Sequence, residues 1–296
     1  MITARNLVKN FNGTTAVDGL SFDIPKGEVF GLLGPNGAGK TTTINMLVGI
    51  LKPDSGEIEI AGSSDPTKSE VRSRIGNAPQ KLALYEKLSA EENLRFFGRM
   101  YGLAGKRLSE RIDSALEFVG LTDRRTGKAG TFSGGMLRRL NLALALVHDP
   151  PVLLLDEPTV GVDPQSRNMI FTYIERLRET QRTIIYTTHY MEEASRLCDR
   201  VAIIDHGKIL AMDSVEGLIE AHGGKSVITA ELNEAPKDTS ALQGRLEGNT
   251  LRIDTAKPME ELAALTKSGL DFAQLRVDRP DLETVFLNLT GRSLRD

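Results

Sequence analysis

Positions 1–10 alternate between apolar and polar residues and carry Arg5 and Lys9, without the continuous apolar core of a signal peptide. The chain is therefore expected to stay in the cytoplasm. Residues 28–33 read as a short buried strand, a Gly-rich turn follows, and 41–48 reads as the next helix. Runs rich in Val, Ile, Leu and Thr at 152–155, 183–187 and 201–205, separated by helical stretches, have the pattern of parallel strands buried on both faces. Together these segments predict an α/β core. Between 89 and 148 the strand pattern disappears. Ser89 and Glu92 have the spacing of a capping box, and helices are expected near 90–101, 107–119 and 134–147. A helical insert thus interrupts the sheet. Asp163 before Pro164 predicts the start of a helix over 164–179, because Asp can accept a free N–H and Pro lacks one that would go unsatisfied.

After Gly223 and Gly224 the texture changes to short alternating strands near 226–232, 250–254 and 272–277 with two helices. The expected organisation is a domain over 1–223, with a helical subdomain at about 86–148, and a small accessory α/β domain over 224–296. Its last helix has Leu282, Val285, Phe286 and Leu289 on one face, with Pro280 near its first turn. No internal repeat or low-complexity tract interrupts the chain.

Composition narrows the partners. The chain has 296 residues, 40% of them hydrophobic and 26% charged, which suits a globular chain able to bury a sizeable core. A net charge of -3 gives no basic field of the kind that holds nucleic acid, so no nucleic-acid partner is expected. The longest apolar run, 140–147, is interrupted by Asn141 and falls far short of the roughly 20 residues a membrane span needs. Cys198 is the sole cysteine and can form no internal disulfide, in keeping with a reducing compartment.

The chemistry-bearing residues fall at strand ends. Gly34, Pro35, Asn36, Gly37, Ala38, Gly39, Lys40 and Thr41 match the phosphate-loop pattern, with a strand before and a helix after. The glycines let backbone N–H groups turn around an anion, to which the helix N-terminus adds partial positive charge. Lys40 is expected to reach the β- and γ-phosphates, Thr41 to place its hydroxyl on Mg²⁺, and Thr42 to lie next in line for the phosphates. The apolar strand ending in Asp156 and Glu157 delivers two carboxylates where ligands sit in open α/β sheets. Asp156 is expected to hold Mg²⁺ through water, and Glu157 to polarise the attacking water.

Those motifs describe a phosphate-loop nucleotidase without narrowing the class. Phe132, Ser133, Gly134, Gly135 and Met136 put a Ser cap and two glycines at a helix start, a second anion site in one chain. It is expected to serve another molecule's nucleotide. On these residues the chain closely resembles the ATPase subunits of ABC transporters over about residues 1–220. The signature motif of that family closes on ATP held by the partner subunit. The family usually reads Leu-Ser-Gly-Gly-Gln; here Phe132 and Met136 hold the outer places. This variant, with Arg138 and Arg139 behind it, resembles drug and polymer exporters of the daunorubicin-resistance kind, as do residues 278–292.

The resemblance implies an ATP- and Mg²⁺-dependent ATPase with a P-loop NTPase (RecA-like) core, antiparallel β and helical subdomains, and a small C-terminal α/β domain. It implies that Gln80 is the glutamine that senses Mg²⁺ and water, and that His189 is the histidine that contacts the γ-phosphate. Asp163 would lie across a dimer interface while also capping its helix. Phe11 matches the aromatic that stacks on adenine, a reading that stays open beside that of a core phenylalanine. His148, His206 and His222 have no such context and read as structural or solvent-facing. The expected assembly is a head-to-tail homodimer, a heterodimer remaining open. It would power a membrane-spanning permease from the cytoplasmic face of the membrane and export drugs, lipids or polymers. The permease would dock beside Gln80, along 81–88 and the helical insert.

Overall fold

At the amino terminus β1 (Ile2–Phe11) and β2 (Thr14–Ile24) form a hairpin. The chain continues through β3 (Val29–Leu33), α1 (Lys40–Leu47) and β4 (Ser55–Ile60), which returns to pair antiparallel with β1. The result is a three-stranded antiparallel sheet in the order β2-β1-β4. Next come α2 (Ser69–Arg72), β5 (Ile75–Ala78) and the helices of the insert, α3 (Ala90–Met100), α4 (Gly105–Phe118) and α5 (Gly134–Leu146). The main sheet resumes with β6 (Val152–Asp156), α6 (Pro164–Glu179), β7 (Thr183–Thr188), α7 (Met191–Leu197), β8 (Arg200–Asp205) and β9 (Lys208–Ser214). Its order is β5-β6-β7-β3-β8-β9, parallel throughout except for β9, which runs antiparallel to β8.

This computed structural model describes residues 1–233 and 244–292. The chain divides into two compact units, Met1–Val215 and Glu216–Asp296. In the first, every residue of β3, β6 and β7 is buried, which is why these strands read as continuous apolar runs rather than alternating ones. Leu7 and Phe22 of the antiparallel sheet join Phe30 and Leu154 of the parallel sheet in one core cluster that includes Ile44 and Leu47 of α1. The Phe22 and Phe30 rings stack at 5.4 Å. The capping box at α3 is complete: Glu92 N–H donates to Ser89 Oγ at 3.2 Å, and Ser89 N–H donates to Glu92 Oε2 at 2.7 Å.

The second unit holds most of α8 (Val215–His222), then β10 (Ser226–Leu232), β11 (Arg245–Glu247), β12 (Thr250–Thr255), α9 (Pro258–Lys267), β13 (Phe272–Asp278) and α10 (Leu282–Thr290). The four strands form an antiparallel sheet in the order β11-β12-β10-β13 over a core of Ile228, Ala230, Leu251, Ile253 and Leu265. Gly223 and Gly224 follow the end of α8. Gly223 N–H donates to Ile219 O at 2.8 Å, and Asn288 of α10 donates to His222 O at 2.8 Å. The division therefore falls one helix before the expected 223/224 boundary.

His148 follows α5 in the first unit and stacks on Tyr101 at 3.6 Å. Its Nε2 meets Ile75 O at 3.1 Å, while its buried Nδ1 has no hydrogen-bond partner. Burial is the main cause that pushes its pKa down from 6.5 to about 4, because a charged ring would be poorly solvated there. Between these two values the unfolded chain holds the proton and the folded chain does not. The stabilisation is therefore complete above 6.5 and is lost as pH falls towards 4. Lowering the pH from 7 to 5 should remove about 2 kcal/mol. Urea titrations of wild type and His148→Phe, which keeps a stacking ring, check this: the variant should show a visibly smaller drop.

Candidate active site

The loop after β3 is shaped by close backbone approach. A Cβ on Gly34 would lie 2.1 Å from Ile204 O, and one on Gly39 would lie 2.4 Å from Ala16 O, so neither position has room for a side chain. Gly39 caps α1 in the left-handed region (φ 102°) with no side-chain cap, and no acidic residue occupies the first turn. The first N–H groups of α1 are left to an anion, which the helix end favours electrostatically. Lys40 Nζ donates to Gly34 O at 2.7 Å and to Pro35 O at 3.0 Å, and pairs with Glu157 Oε1 at 3.1 Å.

A cavity of about 480 Å³ opens here, with Phe11, Asn36, Lys40, Thr41, Gln80 and Glu157 in its wall. Gly37, Gly39 and Thr42 also line it. A larger groove of about 920 Å³ runs along β1, β4 and the segment after α1, and holds none of these residues. Phe11 is 43% exposed, so the core reading of this residue is set aside. Its ring lies 5.7 Å from Lys9 Nζ.

Asp156 and Glu157 are both buried where β6 ends. Burial is the first cause raising the Asp156 pKa, opposed by hydrogen bonds from the Thr187 and Thr41 hydroxyls; the Thr187 bond is 2.6 Å long. At Glu157 the backbone turns into the left-handed region (φ 46°), a conformation that costs a non-glycine residue on the order of 1–2 kcal/mol. Its N–H reaches Thr187 O at 3.2 Å and Thr187 Oγ1 at 2.9 Å, which holds the turn. The carboxylate then sits among three partners: Lys40, Gln80 Nε2 donating to Oε2 at 2.7 Å, and His189 Nδ1 at 3.4 Å from Oε1. Three separate segments of the chain thus converge on the carboxylate of a fourth.

Ser133, Gly134 and Gly135 are not in the wall of that cavity. Ser133 caps α5 and accepts from Met136 N–H at 3.3 Å. Gly135 packs so closely on α6 that an added Cβ would stand 2.0 Å from Ser166 Oγ. Ser166 N–H in turn donates to Asp163, the cap of α6, at 2.9 Å. One residue escaped sequence reasoning altogether: Glu193, fully buried, accepts from Thr159 Oγ1 (2.7 Å), Arg167 Nε (2.9 Å), Tyr186 OH (2.8 Å) and Thr188 Oγ1 (2.7 Å). Its neighbour Glu192 is 87% exposed, and no local signal in the sequence separates the two.

The donor set suits a nucleoside triphosphate: backbone N–H groups and an ammonium for phosphates, and an aromatic face for a base. A hydroxyl hydrogen-bonded to a carboxylate, Thr41 on Asp156, suits a hard cation.

A family model described as ABC transporter matches residues 17–160. The chain is 44% identical over 311 residues to the linearmycin resistance ATP-binding protein LnrL of Bacillus subtilis, spanning 100% of both proteins. The chain belongs to the ABC transporter ATP-binding proteins. This ABC ATPase is also 42% identical over 307 residues to Nod factor export ATP-binding protein I of Burkholderia lata, covering 100% of this chain and 98% of the relative. Among solved structures, the ATP-binding subunit of an ABC transporter covers 75% of the chain at 27% identity with a TM-score of 0.69, the match spanning 93% of that subunit. The dimeric post-hydrolysis cassette MJ0796, bound to ADP and Pi, covers 72% at 25% identity with a TM-score of 0.67, and 98% of that cassette is matched. The ABC ATPase binds ATP and hydrolyses it. Among the described residues no helix is long and apolar enough to cross a membrane.

Proposed function

We propose that two copies of this chain close head to tail around two ATP molecules, each held between the 34–42 loop of one copy and Ser133, Gly134 and Gly135 of the other. The observation that carries this reading is the pair of Gly-rich helix starts, at Gly39 and Ser133, in one unit of the chain, of which only the first borders the cavity with Lys40 and Glu157. The dimeric cassette among the solved relatives supports it. On this reading Phe11 stacks on the adenine, and Lys40 exchanges the carbonyls of Gly34 and Pro35 for the β- and γ-phosphates. Thr41, Asp156 and Gln80 would hold Mg²⁺, which neutralises charge on the phosphate oxygens when bound.

Glu157 orients the attacking water and accepts its proton as oxygen bonds to the γ-phosphorus. The bond from that phosphorus to the bridging oxygen breaks, and its electron pair leaves with ADP. Gln80 and His189 hold Glu157 and the γ-phosphate in line. Loss of the γ-phosphate bridge lets the copies part, so nucleotide state becomes motion.

That motion serves a permease at the cytoplasmic face of the membrane. The relatives named for linearmycin resistance and Nod factor export support export of a drug, lipid or polymer. An exposed apolar patch of Tyr85, Phe96 and Met100, with the Tyr85 and Phe96 rings 5.1 Å apart, suits an apolar docking helix beside Gln80. The C-terminal unit would be an accessory domain.

The composite site is tested with Ser133→Arg. This variant should bind ATP as the wild type does yet fail to associate when ATP is added, read by analytical ultracentrifugation. Normal ATP-dependent association of the variant would sink the reading.

A further inference from the structure

Asn141 interrupts the apolar run of α5, and Arg138 precedes it by three residues, on the same face of the helix. Neither is spent on the helix itself. Asn141, buried, donates from Nδ2 to Pro79 O at 3.1 Å and accepts Ala83 N–H on Oδ1 at 3.3 Å. Arg138, half-buried, donates from Nη1 to Gln80 O at 2.5 Å and from Nη2 to Val160 O at 3.1 Å. Both segments it holds lead to Glu157. Gln80 Nε2 bonds the Glu157 carboxylate, and Val160 N–H closes the turn onto Glu157 O at 3.3 Å. The next residue, Arg139, does a different job, capping the end of α4 through Val119 O (3.0 Å) and Gly120 O (3.2 Å).

We propose that Arg138 is a positioning residue for hydrolysis, its guanidinium joining the main chain of Gln80 to that of Val160 and so fixing Gln80 against Glu157. It acts from the helix whose first turn, on the composite-site reading above, faces the other copy's nucleotide. The inference rests on that reading. A planar guanidinium suits the task because its two Nη groups meet two carbonyls in a fixed fork, and bonds from a charged donor are the stronger kind. Burial lowers the Arg138 pKa first and the fields of Glu157 and Asp156 work against that, and the guanidinium stays charged. A lysine would carry the charge without the fork.

The full-length chain carrying Arg138→Met or Arg138→Lys tests the assignment. Steady-state hydrolysis gives kcat and KM, and each change is also placed in a Glu157→Gln background to measure ATP-driven dimer formation. Arg138→Met should lower kcat at least about tenfold, while KM and the ATP concentration for half-maximal dimer formation move less than about threefold, as expected for misplaced groups rather than lost binding. Arg138→Lys should recover kcat in part only. An unchanged kcat in Arg138→Met, loss of dimer formation in step with turnover, or full recovery by lysine each overturn the proposal. If Arg138→Met does not fold, Arg138→Lys decides: wild-type kcat overturns the proposal, and a reduced kcat with normal dimer formation supports it. A wild-type chain without ATP-driven association would instead remove the composite-site reading.

Discussion

Glu157→Gln should cut ATP turnover by about 10²- to 10³-fold, or about 3–4 kcal/mol of barrier, while ATP binding persists and an ATP-bound dimer accumulates. The amide has the shape of the carboxylate but cannot take a proton from water at neutral pH. Lys40 loses its ionic partner at 3.1 Å but keeps its bonds to Gly34 O and Pro35 O, so the phosphate loop stays organised. Gln80 and His189 retain a group of the same size to pack against. Phosphate release measured with and without ATP-dependent association on a sizing column separates the two effects. Turnover within about threefold of wild type would remove Glu157 from the role of base.

Glu193→Ala should destabilise the larger unit by about 3–5 kcal/mol, the range for stripping one partner from a buried ion pair. Arg167, Thr159, Tyr186 and Thr188 all donate to this carboxylate, and an alanine leaves four donors facing a void. Thr188 also accepts Tyr190 N–H at 2.9 Å, and so frames His189 from both sides. Turnover should therefore fall along with stability. Glu193→Gln, which keeps an acceptor oxygen without the charge, should lie between alanine and wild type. Glu192→Ala, on the exposed neighbour, should leave the urea midpoint within error. A loss below about 1 kcal/mol in Glu193→Ala would show that the four donors find other acceptors.

The phosphate loop was legible in the sequence because its chemistry is local: glycines, one lysine and one threonine in consecutive places between a strand and a helix. The parallel strands were legible because full burial leaves long apolar runs. The shared orientation of Gln80, Glu157 and His189 was not, since it depends on the register of β5, β6 and β7, which places distant residues side by side. Glu193 and Glu192 differ in no local property, and only the fold decides which one is buried. Gly223 and Gly224 give a strong local signal for a break, and in the fold they follow the last turn of α8. Phe11 stood between two readings until its exposure separated them.

Gly135 faces Ser166 at a point where no side chain fits. A Cβ at position 135 would have to displace Ser166 or part the first turns of α5 and α6. Gly135→Ala should therefore shift Ser133 relative to Asp163, although neither cap is itself changed.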